Sequence, residues 1–402
     1  MASAQAFDVI VVGGGLAGSA LAGVLAQSGL GVLVVEREAG FRDRIRGELT
    51  WPWGVAEAQE LGLEAVLQQA GRVELPAVQF YEDQRVAVTE PFESVPMIGF
   101  SHPRLQEALF TWAGLQGATT LRPAKATGFA INGKPTVTVA ADGRAVDYTA
   151  RLVVGADGKL SAVRRWAGGE TQTDAEHHRF GGVLVTGLPI TWFALGDART
   201  APAECIWFAQ SAAATRLYLR MRAERLRESG IDRSFAAFVS YAAAFMPEGA
   251  LAGAQQAGPI GFFPNSNVWA SQIAGDGVVL IGDAAGAADP SGGLGTSLLF
   301  RDVRELRDLL LSEREWAAAT AEFAVRRWRY YEVVRAYDRW MGQLFAEEGA
   351  EADRRRAGHA RAREHDPTLG GFGLIEAQGP DGLVADDTAR RQYFGEDWAD
   401  SD

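Results

Sequence analysis

The sequence predicts an α/β protein in which a helix-covered parallel sheet is interrupted by a mainly antiparallel sheet and followed by helices. Three observations carry that reading. The 402-residue chain opens with a strand, a glycine turn, a helix and a second strand over residues 7–36. Two more apolar strands, ending in Gly155-Ala156-Asp157-Gly158 and Gly282-Asp283, run into helices much later in the chain. Between those two, residues 180–269 change pattern, to short strand-like segments that alternate from face to face.

In the opening unit, FDVIVVGGGLAGSALAGVLAQSGLGVLVVE, the mostly apolar run from Phe7 to Val12 reads as a buried strand. Gly13-Gly14-Gly15-Leu16-Ala17-Gly18 supplies the turn, and small residues at helical spacing follow. Each part has a task in gripping a dinucleotide. Gly13 permits the tight turn, Gly15 lets backbone approach a pyrophosphate, and Gly18 lets helix and strand pack closely. The helix N-terminus offers free N–H groups and the positive end of its dipole to the phosphates. Glu36 ends the second strand, placed to accept hydrogen bonds from ribose hydroxyls. A membrane span competes, because residues 9–35 carry no charge. The glycines between 13 and 18, and Gln27-Ser28-Gly29, break the apolar run and defeat it.

Composition narrows the class. Hydrophobic residues make up 47% of the chain and charged residues 22%, ordinary values for a globular protein with a large core. A net charge of −12 disfavours nucleic acid and anionic membranes as partners. The single cysteine, Cys205, allows no internal disulfide and no thiolate metal cluster. His177, His178, His359 and His365 lack metal-ligand spacing, so no metal is expected. The first strand starts almost at once with no basic leader before it, and the expected location is cytoplasmic. The run Arg354-Arg355-Arg356, with Arg361 and Arg363, reads as a solvated helix face on so acidic a chain.

In chain order, residues 1–72 hold the opening unit, an arginine-rich loop after Glu36, and a helix that starts near Val55. Residues 73–96 alternate (Val78, Phe80; Val86, Val88) and read as a hairpin of the second domain. Residues 97–180 return to the first domain, with an amphipathic helix over His102–Gly114 whose Leu105, Leu109 and Trp112 share a face. Short strands follow at Thr119–Leu121, Ala126–Ile131 and Thr136–Val139, with turns at Asn132-Gly133 and Asp142-Gly143. The strand from Arg151 leads to Asp157-Gly158 and a helix with Ser161 near its start. Residues 181–269 form the inserted domain, with strands at Gly182–Thr186, Cys205–Ala209 and Leu217–Met221 and a helix around Ser234–Phe245. Residues 270–312 complete the first domain: strand Val278–Ile281, a glycine loop, and a long helix to about Leu311. Residues 313–402 form a C-terminal region, helical and aromatic over Ala317–Phe345, with an irregular acidic tail after Asp366.

These ordered motifs resemble the group A flavoprotein monooxygenases of the p-hydroxybenzoate hydroxylase fold, over roughly residues 7–310. The family's D-G-x-x-S-x-x-R stands here as Asp157, Gly158, Ser161 and Arg164. Its G-D-A-A and P-x-x-G-x-G stand as Gly282–Ala285, Pro290, Gly293 and Gly295. The resemblance implies a Rossmann-like FAD-binding domain, an inserted mainly antiparallel β-sheet substrate domain and C-terminal helices. It also implies an FAD-dependent monooxygenase, a hydroxylase or epoxidase, with NAD(P)H as transient reductant. In that chemistry a flavin C4a-hydroperoxide formed from O2 passes oxygen to an aromatic or polycyclic small molecule. The protein is expected as a monomer or homodimer.

Carried over by position, the resemblance assigns FAD to Gly13, Gly15, Leu16, Ala17, Gly18, Glu36 and Arg37 of the opening unit and its flank. Arg46 in the following loop would approach the pyrophosphate, and His102, Ala126 and Asp157 join the cofactor site. Gly282 and Asp283 follow, Asp283 holding a ribityl hydroxyl. Pro290, Gly293, Leu294, Gly295 and Thr296 would turn helix N–H groups toward the ring, where the reduced flavin gathers negative charge. Two departures stand out. Gly286 replaces the family's frequent His, and His102 stands where an Arg or Gln usually contacts the flavin.

Substrate contacts come from the inserted sheet. Alternation puts Ile206, Phe208 and Gln210 on one face, and Tyr218, Arg220 and Arg222 on one face. Phe262, Phe263 and Pro264 precede the return to the first domain, and with Trp53 they complete the candidate wall. No side chain stands out as general acid or base. Gly47-Glu48-Leu49-Thr50-Trp51-Pro52 also resembles the G-E-x-x-x-P of flavin halogenases and geranylgeranyl reductases. A halogenase needs an active-site lysine, and none occurs before Lys125. A flavin-dependent isoprenoid reductase, a two-component oxygenase and a non-enzymatic flavoprotein remain as alternatives.

Overall fold

The computed structural model describes residues 6–398 apart from 94, 189, 191, 199, 200, 367, 368 and 370–373. Alternation along the first strand, Ala6–Val12, decides the larger core. Val9 and Val11 enter one apolar cluster, while Ile10 and Val12 enter another on the opposite face. A strand apolar on both faces suits the middle of a covered parallel sheet. Ala6–Val12 pairs in parallel with Val32–Val35 on one side and Arg144–Gly155 on the other. Thr119–Leu121 and Val278–Leu280 extend the parallel order outward, and Ala274–Gly275 closes one edge antiparallel. Helices Leu16–Gln27, His102–Leu115 and Gly295–Ser312 contribute to the cluster on one face. Strands Lys125–Asn132 and Lys134–Ala141 fold antiparallel onto the first half of Arg144–Gly155 and help fill the other.

The second large sheet is antiparallel at its centre. Arg179–Thr186, Ala214–Met221, Ala201–Ser211 and Phe193–Ala198 lie side by side in that order. The hairpin Ala77–Glu82 and Arg85–Pro91 joins through a parallel pairing with Phe193–Ala198, and Gly261–Pro264 pairs with Arg179–Thr186. Its two faces divide by alternation. Cys205, Trp207, Leu217 and Leu219 pack on helix Phe235–Ala242, while Ile206, Phe208 and Tyr218 face the first domain. A small sheet of Leu49–Thr50, Met97–Gly99 and Val73–Leu75 bridges the two.

Helix Trp316–Met341 buries Phe323, Tyr330, Tyr331, Tyr337 and Trp340, and helix Ala350–His365 follows. On the latter, Arg354, Arg355 and Arg356 pair with Glu351, Glu347 and Asp353, as a solvated face requires. The tail differs from expectation: beyond Asp366 it carries short helices Leu374–Gln378 and Asp387–Tyr393, whose Ile375 and Tyr393 are buried against Trp340 and Tyr337. Apolar docking, not local propensity, orders it. The helix expected from Val55 starts earlier, at Pro52, because Pro fits the first turn, where no intrahelical N–H bond is required. Among the described residues no helix is long and apolar enough to cross a membrane.

Candidate functional site

The three sequence motifs meet at the carboxyl ends of the parallel strands, where open α/β sheets bind ligands. Gly13 has φ +106°, and a Cβ there would stand 2.5 Å from the Ala156 carbonyl oxygen, so the first motif abuts the second. A side chain on Gly18 would collide with the Gly13 carbonyl. Gly282, at φ +56°, brings the third motif against helix Leu16–Gln27, since a Cβ there would stand 3.2 Å from the Ala17 Cβ. Arg164 ties the second motif to the third: its guanidinium donates to the Ala284 carbonyl at 2.8 Å and to that of Lys159 at 2.7 Å.

Other anchors are internal. Glu36 accepts from the Gly14 N–H at 2.8 Å and the Glu38 N–H at 2.7 Å, so the strand-end acid braces the glycine turn. Ser161 caps helix Ala162–Trp166 by accepting from the Arg164 N–H at 2.9 Å, and Asp157 supports that start by accepting from Ser161 Oγ and from the N–H groups of Ala162 and Val163. Asp302 accepts from the Gly282 N–H at 2.7 Å, from Arg327 Nε at 2.9 Å and from the Tyr330 hydroxyl at 2.6 Å. That buried acid fixes the turn from which Asp283 projects, its own carboxylate exposed.

Around this turn the structure gathers several residues that the sequence nominated far apart. His102 Nδ1–H donates to the Gly47 carbonyl at 2.6 Å, and the Gly47 Cβ position lies 3.6 Å from Thr296 Oγ1. Asp283 and Arg46 both act electrostatically on His102. Desolvation lowers the pKa of His102 and favours the neutral ring, outweighing the Gly47 hydrogen bond, while Arg46 adds to the lowering and Asp283 opposes it. Arg46 lies 5.6 Å above the Phe263 ring. The Gly15 Cβ position meets only Gln106 Nε2, at 3.7 Å, and that of Gly295 meets nothing within 4 Å. Leu294 is buried at the start of helix Gly295–Ser312, and Pro290 opens the short turn before Gly293, whose φ is +65°. Arg37 is exposed beside Glu38, and Ala126 sits half-buried on strand Lys125–Asn132.

The inserted sheet presents an aromatic face toward this loop. Trp51 lies 5.6 Å from Phe193, Phe193 is 5.8 Å from Phe208, Phe208 is 6.1 Å from Tyr218, and Tyr218 stacks on Phe180 at 4.6 Å. Trp51 Nε1 donates to the Gly292 carbonyl at 2.9 Å, joining that face to the loop. Gln210 is buried, and Arg220 pairs with Glu204 at 2.7 Å.

Four sequence nominations fall elsewhere. Phe262 packs on Phe238 across the far face, since alternation sends it opposite to Phe263; Pro264 is exposed. Trp53 turns toward Arg301 and Gly379, away from the aromatic series, and Trp51 takes its place. Arg222 lies beyond the strand end at Met221 and is exposed.

The sequence reading also passed over Arg216. It shares a strand face with Tyr218 and Arg220, so the same alternation carried two residues back would have found it. Its buried guanidinium donates to both oxygens of Glu48, at 2.8 and 2.5 Å, and to Asp43 at 2.8 Å. The Tyr218 hydroxyl donates to Glu48 at 2.6 Å. Burial raises the Glu48 carboxyl above its usual range against the pull of Arg216 and Tyr218. Burial alone would lower Arg216, but Glu48, Tyr218 and Asp43 outweigh it, and the guanidinium stays cationic.

Comparison with known proteins agrees with this geometry. The FAD-binding domain family matches residues 6–321. Squalene epoxidase 3 of Arabidopsis thaliana is 28% identical over 319 residues, spanning 75% of this chain and 60% of that protein. The chain therefore covers less than two thirds of that relative's length. PqsL of Pseudomonas aeruginosa, described as a probable FAD-dependent monooxygenase, superposes with a TM-score of 0.73 at 20% identity over 85% of this chain and 97% of that one. The flavin-dependent brominase Bmp2 superposes with a TM-score of 0.76 at 17% identity, over 98% of this chain and all of that one. At such identities the superpositions show a shared fold. With its three motifs joined at one groove and the family match covering most of its length, the chain belongs to the FAD-binding domain family.

Proposed function

We propose that the protein is an FAD-dependent monooxygenase that uses NAD(P)H and O2 to hydroxylate or epoxidise an apolar, electron-rich small molecule. The observation that carries this reading is the aromatic series from Trp51 to Phe180, joined by Trp51 to the loop before helix Gly295–Ser312. A flavin fits the donor set: open backbone at Gly15 and Gly295, an exposed Asp283, and a helix N-terminus. Gly13–Gly18 and Glu36 would hold its adenosine half, Asp283 its ribityl chain, and the Gly293–Thr296 turn its ring. When bound, FAD supplies hydride acceptance and oxygen activation; the protein supplies binding, orientation and dryness.

The residues have separate tasks. His102 fixes the Gly47 carbonyl, so the backbone beside Thr296 holds one position. Arg216 and Tyr218 immobilise Glu48, and through it the same loop. The aromatic face excludes water and favours a flat or unsaturated substrate. Squalene epoxidase 3 is an epoxidase by name, which keeps epoxidation beside hydroxylation. A second reading, reduction of an isoprenoid double bond, draws on the G-E-x-x-x-P element, whose Glu48 is built into this network. Halogenation gains less support, since none of the three lysines belongs to the inserted sheet: Lys125 and Lys134 lie on the antiparallel strands of the first domain and Lys159 follows Gly158.

Isotope labelling tests the proposal. Purified protein loaded with FAD and given NAD(P)H should place one atom of labelled O2 into product from a panel of aromatics and polyenes. Anaerobic consumption of NAD(P)H with saturation of a double bond would favour the reductase. A protein that stays colourless in excess FAD would defeat both.

A further inference from the structure

Beneath the Pro290–Gly292 turn lies a set of acids that the oxygenase reading leaves unused. Asp338, near the end of helix Trp316–Met341, and Glu376, on the segment Leu374–Gln378, are both buried. Among the described residues no side chain hydrogen-bonds to either carboxyl, and the backbone N–H groups of Asp289 and of Glu376 itself, near Asp338 and Glu376 respectively, do not offset their burial. Asp338 lies directly against the turn, since a Cβ on Gly292 would stand 2.9 Å from its Oδ1. Asp289 and Glu376 both act on Asp338 electrostatically.

Asp289 is different, because it has a partner that reaches solvent. His177 Nε2 lies 3.0 Å from Asp289 Oδ2, and the Ser291 N–H donates to Oδ1 at 2.8 Å. Burial opposes ionisation of Asp289, yet these bonds hold it below the usual carboxylate range. The His177 side chain is 34% exposed. His177 thus reaches solvent beside Asp289, and Asp289 shares the Pro290–Gly292 turn with Asp338, on which Asp289 and Glu376 both act.

Uncompensated carboxyls in a dry interior are held as neutral acids. Burial raises Asp338 well above its ordinary value, with Asp289 and Glu376 adding to the effect. Burial pushes Glu376 up to about 8. Asp174, bound to Arg335, and Tyr331 also face Asp338. Arg220, already paired with Glu204, and Tyr393 face Glu376.

We propose that Asp338 and Glu376 form a buried proton store for the reaction, refilled from solvent through His177 and Asp289. The proposal rests on the monooxygenase reading, which consumes a proton in each turnover. Substrate, O2, NAD(P)H and H⁺ become oxygenated product, water and NAD(P)⁺; NAD(P)H and the substrate each supply two electrons to O2. One carboxylic O–H bond of the store breaks, and its proton ends on the oxygen atom that leaves as water. The carboxylate then regains a proton from the His177 side.

The test uses the full chain loaded with FAD. His177→Gln should slow product formation by about 100-fold or more, the lower end of the usual scale of acid–base assistance. Its rate of flavin reduction by NAD(P)H should stay unchanged, and added imidazole should restore turnover. In wild type, product formation should fall as pH rises through about 8, and Glu376→Gln should lack that limb. Infrared spectra should show protonated-carboxyl bands that disappear in Glu376→Gln and Asp338→Asn. Bands that persist in both variants overturn the proposal, as does wild-type product formation by His177→Gln. If wild type makes no oxygenated product, the oxygenase reading fails and the store falls with it; product without the bands fails the store alone.

Discussion

Replacing Glu376 by Gln keeps the shape of the side chain and removes one titration, so it isolates what burial does to this acid. The carboxyl is pushed up to about 8 from an ordinary 4.5 by desolvation, which outweighs its own backbone hydrogen bond and the pull of Arg220. Between those values the folded protein holds a proton that the unfolded chain has released. Stability therefore falls as pH rises through the window, by about 1.4 kcal/mol per pH unit. Across the whole interval the loss reaches about 5 kcal/mol, an order-of-magnitude figure. Glu376→Gln has no such slope. Chemical denaturation of both proteins from about pH 5 to about pH 8 should show the variant gaining about 1.4 kcal/mol on wild type per unit, then running parallel. Asp338 titrates in both proteins, so its contribution largely cancels in the difference. A difference that stays flat with pH would refute the placement of Glu376 as a neutral buried acid.

Further predictions address the groove. Asp283→Ala should weaken FAD retention, measured as flavin-to-protein ratio after gel filtration, with little change in melting temperature because the side chain is exposed. Glu48→Ala should destabilise the fold by about 3–5 kcal/mol, since it strips Arg216 of its main partner in a buried site; denaturant midpoints decide it, and a loss below about 1 kcal/mol would contradict the network. Tyr218→Phe removes only the hydroxyl bonded to Glu48 and should cost about 1–2 kcal/mol while leaving FAD bound. Gly18→Ala should abolish FAD loading or folding altogether, because its Cβ would collide with the Gly13 carbonyl; flavin fluorescence of the purified variant reads this directly.

Much of the cofactor groove was legible in the residues. Gly13, Gly18 and Gly282 announce close backbone approaches, and the structure has a neighbour pressed against each. Apolar runs such as residues 9–12 and 32–35 fix buried parallel strands, and buried strands place their carboxyl ends together. Period two put Phe208 with Ile206 on one face of its strand, and strand register then brought Tyr218 to the same face. The same rule, applied to neighbours as a group, misplaced Phe262, which alternation sends to the side opposite Phe263.

What the sequence determined by itself is therefore whatever rests on local chemistry: the glycine turns, the strand periods, the helix cap at Ser161 and the acid ending the second strand. Tertiary structure alone decided which distant side chains meet. Glu48 and Arg216 stand 168 positions apart and form one ion pair. Asp157 and Glu36 look alike as acids in a fingerprint, yet one secures a helix start behind its Ser161 cap and the other braces a turn. Asp338 lies in the segment expected to be helical and Glu376 in the tail expected to be irregular, and neither stood out until packing buried both. Periodicity and turn chemistry act over a few residues, whereas desolvation and ion pairing depend on neighbours that only the folded chain supplies.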